Sequence, residues 1–317
     1  MTNPSPTGPP AQFPGPTGFL PPPQAPARPF LDVPALLELS EPAGRVSRLW
    51  LLSGGIMLVV MVTVAASSAE PHLRDAMHVL AGLLMIGLMA GLSAMTLYLV
   101  RKFRQEQQAV ESAGELVQLR HWPQAAMVLE QYLSHPARTN QLRTQALIYL
   151  ALVLNRYHRF ADAITVQEYL LDSETIDLAT AYSLKLGRAM AILREDHLFD
   201  ADRAISELRR IGPEDLDSAG LALVEIYRDV KTGHPAEAIE LFERKHSALR
   251  DQLGHRVADA YALVARAYDL LNRSAEAQAA FEKATLLAPP GELYRRYPEV
   301  EKLKDRYQPA FAPPEAA

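Results

Sequence analysis

The sequence has no cysteine, and the usual motifs of enzyme chemistry are also missing. Without thiols there can be no disulfide, thiolate catalysis or zinc–thiolate site, and the composition fits a reducing cytoplasm. Nine histidines are scattered without an H-E-x-x-H pattern, and no G-x-x-x-x-G-K-S/T, G-x-G-x-x-G or G-x-S-x-G occurs. Glu195, Asp196 and His197 form the most acid–base-like cluster, but no hydroxyl nucleophile accompanies them. We therefore expect no enzyme, and neither a metal nor a cofactor.

The sequence also lacks a basic stripe. Residues 1–100 hold four of the 32 basic and five of the 37 acidic side chains, so the remainder has a formal charge of −4. This balance argues against nucleic acid as a partner. Arginine outnumbers lysine by 25 to 7, a bias that we associate with GC-rich bacterial genomes.

Charged side chains are missing from two long apolar stretches, residues 49–66 and 79–100. A helix needs about 20 apolar residues to cross the roughly 30 Å hydrocarbon core of a bilayer. The two stretches therefore predict a transmembrane helical hairpin within residues 45–104. Gly87 and Gly91 form a G-x-x-x-G pair, which gives a face on which another helix can approach closely. We predict these glycines as transmembrane packing residues, either within the hairpin or in self-association of two copies.

The orientation follows from the basic residues that flank the two stretches. The connecting loop, residues 67–76, is polar and has Arg74 as its one basic side chain. The flanking cations are Arg45, Arg48, Arg101, Lys102 and Arg104. Because basic segments stay on the cytoplasmic side, we expect both termini and the following domain in the cytoplasm, at a bacterial inner membrane. The alternative is a cleaved signal peptide that ends near Ala69, although more than forty residues precede its apolar run.

Proline dominates the N-terminal part of the chain. Residues 1–44 hold a large share of the 24 prolines and little that could form a core, so we predict a disordered tail there. The tail contains P-x-x-P matches that SH3-like grooves can bind, but such matches are frequent in any proline-rich tether. A second, flexible tail is expected at residues 308–317.

The rest of the chain repeats a pattern of small and apolar positions. Tyr261, Val264, Ala265 and Tyr268 stand at i, i+3, i+4 and i+7, which places them on one stripe of a helix. Ala277 follows nine residues later and starts a second stripe, so the spacing predicts two packed helices. The spacing recurs in two earlier units, one with Ala109, Ser112, Ala113, Leu116 and Ala125, and one with Leu147, Leu150, Ala151, Leu154 and Ala163.

Two further units fit the pattern less well. One has Ser183, Leu186, Gly187 and Met190 followed by Ala204 after fourteen residues, and the other has Gly220, Leu223, Val224 and Tyr227 followed by Ala238 after eleven. The second-helix alanines are then 38, 41, 34 and 39 residues apart. We therefore expect an irregular array.

This pattern resembles the tetratricopeptide (TPR) repeat, which reads W-x2-L-G-x2-Y, then A-x3-F, then P, over about 34 residues. The resemblance is closest between Tyr261 and Pro289, where Phe281 stands four residues after the small second-helix residue. It implies an all-α fold in which residues 105–307 form a right-handed α-solenoid of about five helical hairpins. The alternative is an ordinary α-helical bundle whose amphipathic hairpins mimic the motif.

In the TPR family the first helices of the hairpins line a concave groove that binds peptides. The resemblance therefore implies that the residue after each small stripe residue points toward a partner. The candidate groove residues are Gly114, Leu152, Asn155, Arg188, Glu225, Arg266 and Asp269. Their charges are mixed, so recognition of a chaperone tail through a carboxylate clamp is not favoured.

The sequence supports two functional hypotheses. The first is a membrane-anchored scaffold or adaptor that binds a cytoplasmic protein or peptide through the TPR-like groove. The second is an accessory or assembly subunit of an integral membrane complex, in which the transmembrane hairpin is the specific interface.

Overall fold

The computed structural model describes residues 31–42, 57, 60, 61, 64, 71–173, 176–211 and 218–307. Within these ranges the chain is built of helices and turns, without a strand. The helices are α1 (Val33–Leu39), α2 (Pro71–Gln118), α3 (Trp122–Leu133), α4 (Asn140–Arg156), α5 (Phe160–Leu171), α6 (Leu178–Arg194), α7 (Leu198–Ile211), α8 (Ala219–Thr232), α9 (Pro235–Leu253), a 3-10 turn (Gly254–Arg256), α10 (Val257–Leu270), α11 (Ser274–Leu287), α12 (Pro290–Arg296) and α13 (Pro298–Glu301).

Consecutive helices pack in pairs, which are α2–α3, α4–α5, α6–α7, α8–α9 and α10–α11. Every turn inside a pair has one residue in the left-handed conformation, with φ between 57° and 79°; these residues are Arg120, His158, Asp196, Gly233 and Asn272. The amide of the next residue donates to the carbonyl five positions earlier, as from His121 to Leu116 at 2.8 Å. This is the Schellman geometry, which satisfies the last carbonyls of the first helix. Because the turns are so short, the two helices of each pair run antiparallel.

The turns reveal a repeat that is more regular than the sequence analysis suggested. The left-handed residues are 38, 38, 37 and 39 residues apart. A fully buried alanine stands five residues after each of them, at Ala125, Ala163, Ala201, Ala238 and Ala277. The small residue of the third unit is therefore Ala201, and the assignment to Ala204 was wrong. Counted back from its turn, the third unit has Ala189 at the position of the small stripe residue, and the fourth unit has Ile226. Each lies two positions after the predicted residue, which was Gly187 in the third unit and Val224 in the fourth. The expected irregularity came from these shifted assignments.

The buried side chains form two clusters along the array. The first joins α1 to the end of α2 and to α3, α4 and α5. The second runs from α6 to the C-terminal helices, with Tyr227, Phe281 and Tyr297 as its largest fully buried side chains. Each fully buried side chain of this size contributes about 1.5–3 kcal/mol. The core is therefore continuous within each half of the array.

Helix α2 is a single helix of 48 residues. Its part from Gly82 to Gln118 is long and apolar enough to cross a membrane, and its most apolar window is unburied. The predicted boundary at residue 104 does not interrupt the helix, since residues 92–113 contain neither glycine nor proline. The predicted loop at 67–76 is too long, because the helix already begins at Pro71. The first predicted span, 49–66, lies outside the described residues apart from four isolated helical positions.

The N-terminal tail was predicted to be disordered up to residue 44, and for residues 31–42 this is wrong. Leu31 and three apolar side chains of α1 are buried in the first cluster, where α1 packs against α3 and α5. Asp32 caps α1 by accepting a hydrogen bond from the amide of Ala35 at 3.3 Å. Residues 1–30, 43–44 and 308–317, which hold the rest of the predicted tails, lie outside the described residues.

Two arginines of the second hairpin hold this N-terminal segment. Arg143 is buried and donates to Ser40 Oγ at 2.9 Å and to the carbonyl of Leu37 at 2.7 Å. Arg159 donates to the carbonyl of Leu31 at 2.6 Å. The segment from Leu31 to Ser40 is therefore part of the folded domain.

Candidate functional site

One face of the array forms a half-open cavity of about 540 Å³. Helices α4, α6 and α8, which are the first helices of three successive hairpins, form its floor. The turn after α2 closes one side, and the 3-10 turn before α10 together with α12 closes the other. A salt bridge of 3.2 Å between Arg120 and Glu292 joins the first turn of the array to α12. The two ends of the chain of hairpins thus meet across the cavity.

The floor of the cavity is apolar and its walls are basic. The floor side chains are Leu152, Leu186, Met190, Leu223 and Val224, and Leu253 at the end of α9 adds to the apolar lining. The cationic lining consists of Arg120, Arg156, Arg194, Arg256, Arg295 and Arg296. Glu292 is the one acidic residue among the described lining residues. The cavity is therefore an apolar floor under a strongly positive rim, in a domain whose overall charge is negative.

Two carboxylates neutralise part of this charge. Glu292 accepts from Arg120 and, at 2.7 Å, from Arg296. Asp259, buried behind the wall, accepts from Arg296 at 2.6 Å and lies 3.8 Å from Arg256. Burial raises the pKa of Glu292, but the hydrogen bond from Arg296 and the nearby arginine charges outweigh it, and the pKa is lowered overall. Glu292 is thus a stable anion that serves two of the six arginines.

The other three arginines form no ion pair among the described residues. Arg156 lies 5.8 Å from the ring centre of Trp122, while Arg194 lies 5.4 Å from that of Phe160. The Nε of Arg194 is buried and has no hydrogen-bond partner. Arg295, the third of them, is exposed at the rim. The cavity thus contains more cations than its own carboxylates can neutralise.

The surplus of positive charge affects Arg156 directly. Burial lowers the pKa of Arg156, and the charge of Arg295 lowers it further, with smaller effects of the same sign from Arg296 and Arg120. Glu292 acts in the opposite direction without restoring the usual value. An additional negative charge in the cavity would relieve this repulsion.

The structure brings only part of the predicted groove together. Leu152 and Asn155 line the cavity. Arg188 instead donates to Glu168 at 2.6 Å and 3.0 Å, and the buried Glu225 accepts from Arg209 at 2.6 Å. Arg188 and Glu225 had been assigned from the two units whose register was shifted by two residues. In the third unit the corrected position is Met190, which lines the cavity, whereas in the fourth it is Tyr227, which is fully buried.

The predicted residues of the last hairpin are covered by the C-terminal segment. Asp269 is buried, pairs with Arg266 and also accepts from Arg306 at 2.6 Å and from the Tyr307 hydroxyl at 3.3 Å. Gly114, the first groove candidate, is also unavailable, because it is buried and a Cβ there would lie 2.7 Å from the Tyr149 hydroxyl. The open part of the inner face is therefore confined to the middle hairpins.

The arginines of the rim were not among the predicted site residues. They come from the turn after α2, from the last residues of α4 and α6, from the 3-10 turn and from α12, and not from the stripe positions that the spacing selects. A usable signal exists, since His121, Arg159, His197, His234 and Arg273 each stand four residues before the buried second-helix alanine. This H/R-x-x-x-A pattern marks the turns and would have given the register.

The predicted transmembrane packing pair, Gly87 and Gly91, lies on an uncovered face of α2. A Cβ added to Gly87 or Gly91 would meet nothing within 4 Å. Large apolar side chains beside them are exposed, with 67% of Ile86 and 66% of Met89 accessible. This face of α2 is open to lipid, to the first predicted span or to a second copy, and the role of the glycines stays a prediction.

Among the described residues, no group of three or more His, Asp or Glu side chains could hold a metal ion. Asp196 of the acid–base-like cluster is the left-handed turn residue of the third hairpin and pairs with Lys231.

Comparison with protein-family models, with curated proteins and with solved structures finds no match to this chain. The cavity and the apolar helix are therefore the features that bear on function.

Proposed function

We propose that the protein is a membrane-anchored scaffold that binds a segment of a partner protein in the cavity on its inner face. The observation that supports this most is the half-open cavity between the first helices of successive hairpins, in a chain whose first hairpin begins with the apolar helix α2. We propose further that the hairpins form a TPR-like right-handed α-solenoid. The repeated turn geometry and the spacing of 37 to 39 residues support a repeat architecture. The proposal assigns no reaction to the cavity.

The N-terminal segment supports a membrane topology with two crossings. Residues 31–42 pack against hairpins that follow α2, which supports a topology in which the chain before and after the membrane segment lies on one side. A chain that starts and ends on the same side crosses an even number of times. With one crossing in α2, the second is provided by residues 49–66, which contain no charge. The basic flanks place that side in the cytoplasm, which we propose to be that of a bacterium.

The same packing argues against a cleaved signal peptide. Cleavage near Ala69 would remove α1 from the mature protein. Four buried apolar side chains of the first cluster and two of the three hydrogen-bond acceptors of Arg143 would be lost with it. Removing acceptors from a buried guanidinium is costly. The folded domain therefore favours retention of the N-terminal segment.

Site-specific photocrosslinking of the full-length protein in its native membrane tests the proposed binding site. A photoreactive side chain at Leu152, which lies in the cavity and is 48% exposed, should crosslink to a partner protein. The same group at Met127, which is 58% exposed on the second helix of the first hairpin, is the matched control and should not. Equal crosslinking at both positions, or none at Leu152, would refute the proposal.

The uncovered glycine face of α2 supports the second candidate, an assembly subunit whose transmembrane hairpin is the specific interface. Replacing residues 45–104 by an unrelated membrane hairpin separates the two functions. A scaffold keeps its Leu152 crosslink after this replacement, because its binding site lies in the cavity. An assembly subunit loses its place in the complex, and Gly87→Leu combined with Gly91→Leu should already have this effect.

A further inference from the structure

The rim arginines specify the chemistry of the segment that the cavity accepts. Six arginines line a space in which Glu292 is the one carboxylate of the described lining. Arg156, Arg194 and Arg295 have no acidic partner among the described residues, and the buried Nε of Arg194 is without an acceptor. Guanidinium groups bind carboxylates and phosphates through paired hydrogen bonds, and their enrichment in one cavity is typical of an anion site.

We infer that the cavity binds an acidic segment of a partner protein, whose carboxylates pair with Arg156, Arg194 and Arg295 while an apolar side chain rests on the floor. This inference rests on the proposed scaffold function and names the chemistry of its partner. A bare inorganic anion would make no favourable contact with the apolar floor of leucine, methionine and valine side chains. A peptide with both acidic and apolar side chains matches both parts of the cavity, and a volume of about 540 Å³ suits a few residues.

A lipid headgroup is a poorer match because of its distance. Between Val100, where the apolar stretch of α2 ends, and Arg120 at the cavity, the chain advances about 30 Å as a helix. That is about three Debye lengths at an ionic strength of 0.1 M, so the membrane surface charge is largely screened at the cavity. The proline-rich residues 1–30 are also excluded as the occupant, since they contain no acidic side chain.

The test uses the full-length protein in phosphatidylcholine nanodiscs and a fluorescent peptide of three Glu-Glu-Leu units. Fluorescence anisotropy should show binding that weakens with added salt, while the Gln-Gln-Leu counterpart binds at least about tenfold more weakly. Arg295→Gln should reduce the affinity for the acidic peptide about tenfold, and so should Arg156→Gln. Arg203→Gln is the matched control, because Arg203 is exposed on α7 away from the cavity, and it should leave the affinity unchanged.

Three outcomes would overturn the inference. They are equal affinity for the Glu and Gln peptides, an affinity that neither Arg295→Gln nor Arg156→Gln changes, and displacement of the peptide by vesicles of phosphatidylglycerol but not of phosphatidylcholine. The exposed position of Arg295 ensures that at least one cavity variant folds. The Leu152 crosslink tests the scaffold function separately from the acidic ligand. If the crosslinked partner persists when Arg295 and Arg156 are replaced by Glu, the scaffold stands and the acidic ligand is wrong.

Discussion

Arg143→Ala should release the N-terminal segment from the domain. The Arg143 side chain belongs to the second hairpin, but two of its hydrogen bonds go to the segment, at Ser40 Oγ and the carbonyl of Leu37. A third goes to the Tyr169 hydroxyl at 2.6 Å, and the guanidinium lies 4.9 Å from the centre of that ring. Since only 7% of Arg143 is exposed, water cannot replace these acceptors in the folded protein.

The loss of docking free energy can be worked out from the two hydrogen bonds between Arg143 and the N-terminal segment. A hydrogen bond from a charged donor contributes about 1.5–3 kcal/mol, so the pair contributes roughly 3–6 kcal/mol before the cost of burying the guanidinium is subtracted. Arg143 has no acidic partner among the described residues, and this cost is substantial. We expect a net loss of about 3 kcal/mol, which corresponds to a docking equilibrium weakened about a hundredfold.

Hydrogen exchange of the full-length protein in nanodiscs measures this loss. The amides of Leu36 and Ser40 donate to carbonyls within the segment, at 3.0 Å and 3.1 Å. A helix of seven residues is not stable alone, so their protection reports docking. In Arg143→Ala their protection should fall about a hundredfold. In Arg203→Ala, where an exposed arginine receives the same substitution, it should not change.

The reasoning is refuted if the segment stays protected in Arg143→Ala, because the buried arginine would then not hold it. General loosening of the second hairpin would show as faster exchange throughout α4 and α5. Ser40→Ala resolves that case, since it removes one acceptor from the segment side and leaves the hairpin intact. It should lower the protection by a smaller factor, about tenfold.

Three further substitutions test the fold. Glu292→Gln should cost about 1 kcal/mol at pH 7 in urea unfolding. Because the folded-state pKa of Glu292 is lowered, its contribution is present above about pH 4.5 and lost as the pH falls, and the variant should lack this part of the acid sensitivity. Gln167→Met should raise the free energy of unfolding by about 1 kcal/mol, since Gln167 Oε1 is buried without a partner; a lower melting temperature would contradict this. Phe281→Ala should cost about 3–5 kcal/mol, whereas Phe199→Ala, at a side chain that is 83% exposed, should cost less than about 0.5.

Spacing alone recovered the hairpins where one helical stripe was unambiguous. In the second unit, Leu147, Leu150 and Leu154 are buried as predicted. In the third unit, Leu186 and Met190 also form a stripe, but that stripe faces the cavity. A first helix that packs on one side and lines an apolar floor on another presents two stripes, and sequence periodicity cannot tell which one is the core.

The turns were hard to recognise because most of their left-handed residues are not glycine. Only Gly233 offers the usual signal, while Arg120 and His158 adopt φ near 60° against their intrinsic preference. The cavity was hidden for a related reason. The arginines that line it are as far apart in sequence as Arg120 and Arg295, and no local sequence pattern predicts that they lie close together.

The N-terminal segment shows how composition can conceal a short element. Its sequence from Asp32 to Ser40 has an N-cap, a proline at the second helical position and apolar residues at 33, 36 and 37. These local signals were outweighed by the proline content of the first 44 residues. Composition averages over a window much longer than seven residues, so it misses an element of this size.

The continuity of α2 determines how the proposed anchor and the binding cavity are related. Val110 and Ala113, near the end of this helix, are buried in the first cluster, and two residues beyond the helix Arg120 enters the cavity. If α2 spans the membrane as proposed, a tilt of the helix must therefore move the first hairpin with it. The segment at Leu31–Ser40 attaches to the same cluster, so both chain segments that lead to the proposed membrane hairpin end in one rigid core. Two attachments restrict rotation of the domain far more than a flexible tether would. If the chain crosses the membrane twice as proposed, an acidic partner would be held at a defined distance from the bilayer.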